Sequence, residues 1–376
     1  MKKLIVTAIC VVSMLIGLPA AAQQDEMLFR RHIVSSGWHG LFYGIATVVV
    51  AEVDGPAAVG IPILTAGTAV LIPLLTTPEI TVNSLLLTNH GRTMGWAHGF
   101  ALSALIFGED IFENDNEKIM VASMAVSSIG LGRLGYVLGR DRPWSEGQAA
   151  LFAHYGVLWP FMGYSAGLAF VDDLRLGAGL TLLSGAGSYF LANQVYRMNP
   201  YTRGDVRATR VLSVLNAGLG YGLILQLIEN DITDQRSIER TDLIIPAIGA
   251  LAGTAMGHLW LRDTRLTTSQ GNISGFAAAG GAVLGLGVAL MTGTDELWPY
   301  YTFPYAFGMG AFAFAVERFR AANRTAEFAP EQGKNNITFA FTPQSVALNQ
   351  MIAGDGPMTP LKIKRMQPLV SVAFRF

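Results

Sequence analysis

Apolar residues in this chain run in long blocks, with neither a strict alternation nor a narrow stripe. Ten blocks follow one another, at 38–51, 56–75, 95–107, 119–139, 149–170, 176–195, 211–228, 243–261, 273–291 and 300–316. Several continue for most of the length that crosses about 30 Å of hydrocarbon as a helix, with almost no charge. The blocks at 38–51 and 95–107 fall short of it. A transmembrane barrel strand alternates apolar and polar positions over about ten residues. Here both parities are apolar, as in Val211, Leu212, Ser213, Val214, Leu215. The pattern predicts an all-α chain, a bundle or solenoid of about five Gly-rich antiparallel hairpins with about eight to ten membrane-type helices. No Pro/Ser-rich linker divides it, so 36–325 reads as one helical repeat domain. An exposed segment at 23–35 precedes it and a tail at 326–376 follows.

An internal repeat supports the hairpin reading. A shift of 57 residues places Arg140 on Arg197, Trp144 on Tyr201, Gly147 on Gly204 and Gly163 on Gly220. A further shift of 67 places Gly204 on Gly271 and Gly220 on Gly287, with Arg262 opening that copy. Gly37-Trp38-His39-Gly40 and Gly95-Trp96-Ala97-His98-Gly99 resemble earlier starts of the same unit. Glycines spaced four apart occur at Gly40/Gly44, Gly163/Gly167, Gly218/Gly222, Gly253/Gly257 and Gly281/Gly285. Such pairs flatten one side of a helix and let neighbouring backbones approach inside lipid.

Charge is sorted by turn. Arg92, Arg140 with Arg142, Arg197 with Arg203 and Arg207, Arg262 with Arg265, and Arg318, Arg320 and Arg324 fall in alternate turns. Glu52 and Asp54, Glu109 to Glu117, Asp172 and Asp173, Glu229 to Asp234, and Asp295 with Glu296 fall in the others. If successive helices reverse direction, one side of the bundle is basic and the other acidic. Charged residues make up only 14% of the chain, against roughly 25% in a soluble domain, and mean hydropathy is +0.39. The apolar share of 51% excludes a disordered chain, and the near-zero net charge of −1 gives no electrostatic reason to expect nucleic acid.

Residues 1–22 have the form of a secretory signal peptide: Lys2 and Lys3, an apolar core, and Ala20-Ala21-Ala22 before Gln23. Its removal would take the single cysteine, Cys10, and move the formal net charge from −1 to −3. The N-terminus would then be exported on the basic side. Inner-membrane proteins keep their Lys and Arg in the cytoplasm, so the pattern points past the inner membrane. The last residues, Leu369 to Phe376, alternate and end in Phe, with Val370, Val372, Phe374 and Phe376 on one face. They resemble the C-terminal targeting strand of bacterial outer-membrane proteins, which implies outer-membrane placement. The segment at 336–342 reads as its partner in a short β-hairpin. Two strands cannot close a barrel.

Candidate chemistry is sparse. Arg140-Asp141-Arg142-Pro143 resembles the first motif of the membrane phosphatidic-acid-phosphatase type, in which arginines bind phosphate. The Pro-Ser-Gly-His segment and the later histidine of that type do not follow it. The recurrence at Arg197 and Arg262 suggests capping of helix C-termini instead. His32, His39, His90, His98, His154 and His258 show no metal-ligand spacing. Arg133, a charge inside an apolar block, is a functional-site candidate by position, or an arginine snorkelling towards Arg140. Arg133, Arg140, Arg142, Arg197 and Arg262 are thus the candidate anion or interface contacts. No catalytic residue, metal or cofactor is assigned. The expected role is a non-enzymatic cell-envelope membrane protein, a scaffold or a passage for a small solute. Its partners would be membrane lipid, other envelope proteins or a second copy, with no nucleic acid. The alternatives are a membrane enzyme acting on phosphate-bearing lipid through the Arg140/Arg142 face, and a soluble periplasmic helical-repeat binding module.

Overall fold

The computed structural model describes residues 24–76, 79–113, 115–170, 173–230, 240–328, 336–341 and 370–375. The expected signal segment at 1–22 lies outside them. Contacts divide the chain into two units, Met1–Asn323 and Arg324–Phe376.

The first unit is built of helices: α1 (Gln24–Val50), α2 (Ala57–Thr76), α3 (Val82–Phe107), α4 (Asn116–Asp141), α5 (Glu146–Phe170), α6 (Leu174–Met198), α7 (Arg203–Asn230), α8 (Ile244–Trp260), α9 (Thr268–Thr292) and α10 (Pro299–Phe328), the last of which runs into the second unit. The dominant packing is within consecutive pairs, α1 on α2, α3 on α4, α5 on α6 and α7 on α8. In the same way α9 meets α10 through Gly281 on Phe307 and Gly285 on Phe303. These are the five antiparallel hairpins the sequence predicts.

Local chemistry sets their ends. Thr81 and Ser84 form a reciprocal capping box at the start of α3, and Thr267 with Gln270 does the same for α9. The Asp173 carboxylate accepts from the Arg175 amide to start α6. Gly108, at a φ of 63°, ends α3, and its amide donates to the Ala104 carbonyl.

Two expectations are corrected here. The segment at 23–35 is not an exposed leader, because α1 already begins at Gln24 and Leu28, His32, Ile33 and Ser36 are buried. Their spacing of four, one and three residues is a helical face, hidden in sequence by the charges between them. Arg92 is not in a turn either. It lies in the middle of α3, so the short block at 95–107 is only the second half of that helix.

The glycines lie within the hairpins. Added Cβ atoms on Gly91, Gly95 and Gly99 of α3 would overlap the α4 backbone at Leu131, Ser128 and Met124. Gly40/Gly44, Gly163/Gly167, Gly253/Gly257 and Gly281/Gly285 all face their hairpin partner in the same way. The pair Gly218/Gly222 does not: Gly218 faces open space, and Gly220 makes the contact with Pro246.

Between hairpins, each first helix packs on the next hairpin: α1 on α3 and α4, α3 on α5 and α6, α5 on α7 and α8, and α7 on α9. The repeat glycines mark these joints. Gly147 abuts the Tyr201 carbonyl, Gly204 the Leu266 and Thr267 carbonyls, and Gly271 the Gly204 backbone. The arginine turns therefore share one end of the bundle. Asn199 Nδ2 donates to the Arg262 carbonyl at 3.2 Å, and Asn83 Nδ2 to the Trp144 carbonyl at 2.7 Å.

Five helices, α1, α2, α4, α7 and α9, are long and apolar enough to cross a membrane. Their outward residues are strongly apolar, with Leu75 81%, Phe276 78% and Met291 80% exposed. α3 and α5, which carry three of the six histidines, are the most enclosed. The chain has the build of a membrane protein: apolar outside, polar within.

In the second unit, β1 (Asn336–Phe341) pairs antiparallel with β2 (Val370–Arg375), Asn336 opposite Arg375 and Phe341 opposite Val370. Leu369 and Phe376, the ends of the targeting-type segment, lie outside the described residues.

Candidate functional site

Polar side chains meet inside the bundle wherever one hairpin joins the next. Between α1 and α3, Ser35 Oγ donates to Asn89 Oδ1 at 2.5 Å and Arg92 Nη1 to Ser36 Oγ at 3.2 Å. Ser128 Oγ of α4 donates to the Arg92 carbonyl at 2.7 Å, which leaves its lone pair for the Tyr43 hydroxyl of α1 at 2.9 Å. Between α3 and α6, His90 Nε2 lies 3.2 Å from the Tyr189 hydroxyl, and the His98 ring seats on Gly185.

The joint from α5 to α8 is the most polar. Thr254 Oγ1 donates to the Ala250 carbonyl at 3.0 Å, so it accepts from His154 Nε2 at 3.1 Å. One turn along α8, His258 bridges two phenols, with Nε2 2.8 Å from the Tyr155 hydroxyl and Nδ1 2.8 Å from the Tyr201 hydroxyl. A neutral imidazole donates with one nitrogen and accepts with the other, so either tautomer satisfies both partners. Burial raises the pKa of Tyr201, in the turn before α7, above the ordinary phenol value and keeps it neutral. At the next joint, Asp205 Oδ1 accepts from the Leu266 amide at 2.8 Å and Thr264 Oγ1 at 2.9 Å, while Oδ2 accepts from the Thr202 amide at 3.0 Å.

His39 and His98, which stand in the two similar Gly-Trp segments, do not converge. Each Nδ1 donates to the carbonyl four residues back, Ser35 at 2.8 Å and Met94 at 2.7 Å. Among the described residues no three His, Cys, Asp or Glu side chains gather as a metal site would require.

The five arginines singled out from sequence are exposed and line no common site. The Arg133 guanidinium lies 5.2 Å from the Tyr136 ring centre and that of Arg140 5.4 Å from the same ring. Tyr136 thus draws Arg133 towards the basic end, as snorkelling requires. Arg140 is paired with its neighbour Asp141, with Nη2 3.0 Å from Oδ2. Arg142 caps α4, its amide bonded to the Leu138 carbonyl. Arg197 lies in the last turn of α6, where it complements the helix dipole.

Sequence reasoning missed a second arginine group. Arg203, Arg207 and Arg210 follow one face of α7 at spacings of four and three. Arg203 Nη1 meets Glu146 Oε2 at 3.2 Å, and Arg207 Nη1 donates to Asn272 Oδ1 at 2.5 Å. The helical spacing was the available signal, masked by reading Arg203 and Arg207 as part of a turn.

An apolar cleft of about 450 Å³ opens between the second and third hairpins, lined by Met94, Phe100, Met124, Pro160, Phe161 and Tyr164 among others. Its lining suits a hydrocarbon chain and offers no group for acid–base work. Comparison with protein-family models, curated proteins and solved structures gives no match.

Proposed function

We propose that this chain is a non-enzymatic, membrane-embedded scaffold of the bacterial cell envelope, with membrane lipid as its immediate partner. The observation that carries this reading is the inversion of polarity. Large apolar side chains such as Leu75, Leu183, Leu259 and Phe276 cover the outside, while His154, Tyr155, Ser128 and Asp205 are enclosed. Lipid tolerates that arrangement and water does not, which disfavours a soluble periplasmic repeat. The imidazoles that would serve as catalytic bases are used to join hairpins. That use, and the pairing of Arg140 with Asp141, disfavour a lipid phosphatase on the Arg140/Arg142 face. The closed polar joints favour a scaffold over a solute passage.

The outer membrane is the proposed compartment, on the signal-like segment, the exported basic side and the terminal strand. Separation of inner from outer membranes, with an alkaline wash, tests both parts. The protein is expected in the outer-membrane fraction after the wash. Deletion of 370–376 is expected to lower its amount there. Release into the wash would overturn the embedded scaffold, and unchanged accumulation of the truncated chain would remove the role of the strand.

A further inference from the structure

We propose that the apolar cleft between the second and third hairpins holds one acyl chain of a phosphatidylethanolamine whose headgroup lies at the acidic end of the bundle. The inference rests on the membrane-embedded reading above. α3 lends the cleft Met94, Ala97, Ala101 and Ala104, whose spacings of three, four and three mark one helix face. Leu174, at the start of α6, packs in the same cluster as Ala104. The cleft therefore runs from the acidic end towards the middle of the bundle. Met94 and Ala104 are about 15 Å apart along the axis of α3, at 1.5 Å per residue. That is half of the roughly 30 Å of a hydrocarbon core, the depth of one leaflet.

The lining admits hydrocarbon and little else. Ala101, Ala104 and Ala178 on the floor are almost wholly buried, while Ala97, Val157 and Tyr164 on the open side are exposed. The volume of about 450 Å³ lies within the usual range of ligand sites, roughly 300–1,000 Å³. Thr181, a polar residue of the lining, has its hydroxyl satisfied, Oγ1 donating to the Gly177 carbonyl at 2.9 Å. The Tyr164 hydroxyl differs, making no hydrogen bond among the described residues. It lies in α5 about 9 Å before the acidic end of that helix. A glycerol ester carbonyl at the edge of the hydrocarbon can accept its proton there.

Charge selects the headgroup. α3 ends in the 3-10 turn Gly108–Phe112, which carries the exposed Glu109 and Asp110, and the exposed Asp173 precedes Leu174. These carboxylates repel an anionic headgroup and accept from an ammonium. Beside them, the Arg175 side chain rests on Gly108 and donates through Nη2 to the Phe107 carbonyl at 3.2 Å. Its remaining donors suit the phosphate of the same zwitterionic headgroup.

The test is a titration of the detergent-purified full chain with phosphatidylethanolamine and phosphatidylglycerol of identical dioleoyl chains, reading bound lipid by native mass spectrometry. Phosphatidylethanolamine is expected to bind more tightly. Ala97→Trp fills the cleft from its open side and should weaken that binding about tenfold or more; Val157→Trp, from the α5 wall, should do the same. Phe276→Trp, outward on α9, should leave it unchanged. Tyr164→Phe should weaken it about two- to tenfold, and should have no effect on an ether-linked analogue that lacks the ester carbonyls. Undiminished binding in both cleft-filling variants, or equal loss in Phe276→Trp, would overturn the site. Equal binding of the two lipids would overturn the headgroup assignment. A lipid-free dimer that Ala97→Trp abolishes would make a second copy the occupant and overturn the lipid. A chain that stays monodisperse without detergent would instead defeat the membrane reading, whereas loss of lipid selectivity in a chain that needs detergent overturns only the cleft proposal.

Discussion

Contacts within a hairpin and contacts between hairpins are made of different materials. Inside the α3/α4 hairpin, Gly91, Gly95 and Gly99 press directly on the opposite backbone, and the hydroxyls that cross it, those of Ser123 and Ser128, donate to the Gly99 and Arg92 carbonyls and not to side chains of α3. Between α5 and α8 the contact is His154 on Thr254, then Tyr155, His258 and Tyr201 in a row. Lipid tails are as apolar as leucine, so burial alone cannot choose which helix lies beside which. Close glycine contacts bring the two arms of a hairpin together through dispersion at short range. They do not fix which hairpin comes next. Directional bonds between particular side chains do, and the bundle places them at the joints between hairpins.

Six substitutions probe that division, from the largest effect to the smallest. Asp205→Ala removes the acceptor of the Leu266 amide and of Thr264 at a joint, and leaves a buried N–H unpaired. It should cost about 3 kcal/mol, read by thermal unfolding in detergent; a loss near zero would mean that joint is not held by this carboxylate. Gly220→Leu would force a side chain into the Pro246 backbone of the same hairpin and should cost roughly 1–3 kcal/mol. Gly218→Leu, two residues away and facing open space, should stay within about 0.5 kcal/mol. Equal effects at the two positions would remove the distinction between contact and outward glycines. A double-mutant cycle on Tyr155→Phe and His258→Gln should return a coupling of about 0.6–1.7 kcal/mol, the scale of polar pairs in membrane bundles. Additive losses would show the two rings to be independent. Lys118→Ala breaks an exposed pair with Glu52 and Asp115 on the acidic side and should not move the unfolding midpoint measurably.

The two kinds of contact were unequally legible. Hairpins and their glycines are local, and their signal is a run of apolar residues with small ones four apart. Four of the five glycine pairs face their partner helix as that pattern implies, and the fifth is displaced to Gly220. The joints are not local: His90 meets Tyr189, and His154 meets Thr254, each about a hundred residues away in sequence. Nothing in the order of residues announces such a pair. The same polar residues broke the apolar runs of α1 and α3, which is why their first halves read as a leader and a turn. Serines, Asn89 and Arg92 look hydrophilic one helix at a time, and become interior when the two helices face each other. Arginines posed the opposite problem. Arg140 and Arg197 stood out because their neighbours are apolar, yet they serve helix ends. Arg203 and Arg207 were read as part of a turn, and Arg210 stood among other charges and drew no notice.

The account's central claim is that the arginine turns share one side of a membrane and the acidic turns the other. Labelling single cysteines with a membrane-impermeant maleimide tests this most directly. In a chain carrying Cys10→Ser, one cysteine is placed at Arg142, Arg262, Glu109 or Asp295 in turn, and sealed vesicles are labelled before and after lysis. The account predicts that Arg142→Cys and Arg262→Cys react alike, that Glu109→Cys and Asp295→Cys react alike, and that the two pairs are reached from opposite sides. Different sides for the two arginine positions, or free access to all four before lysis, would contradict it.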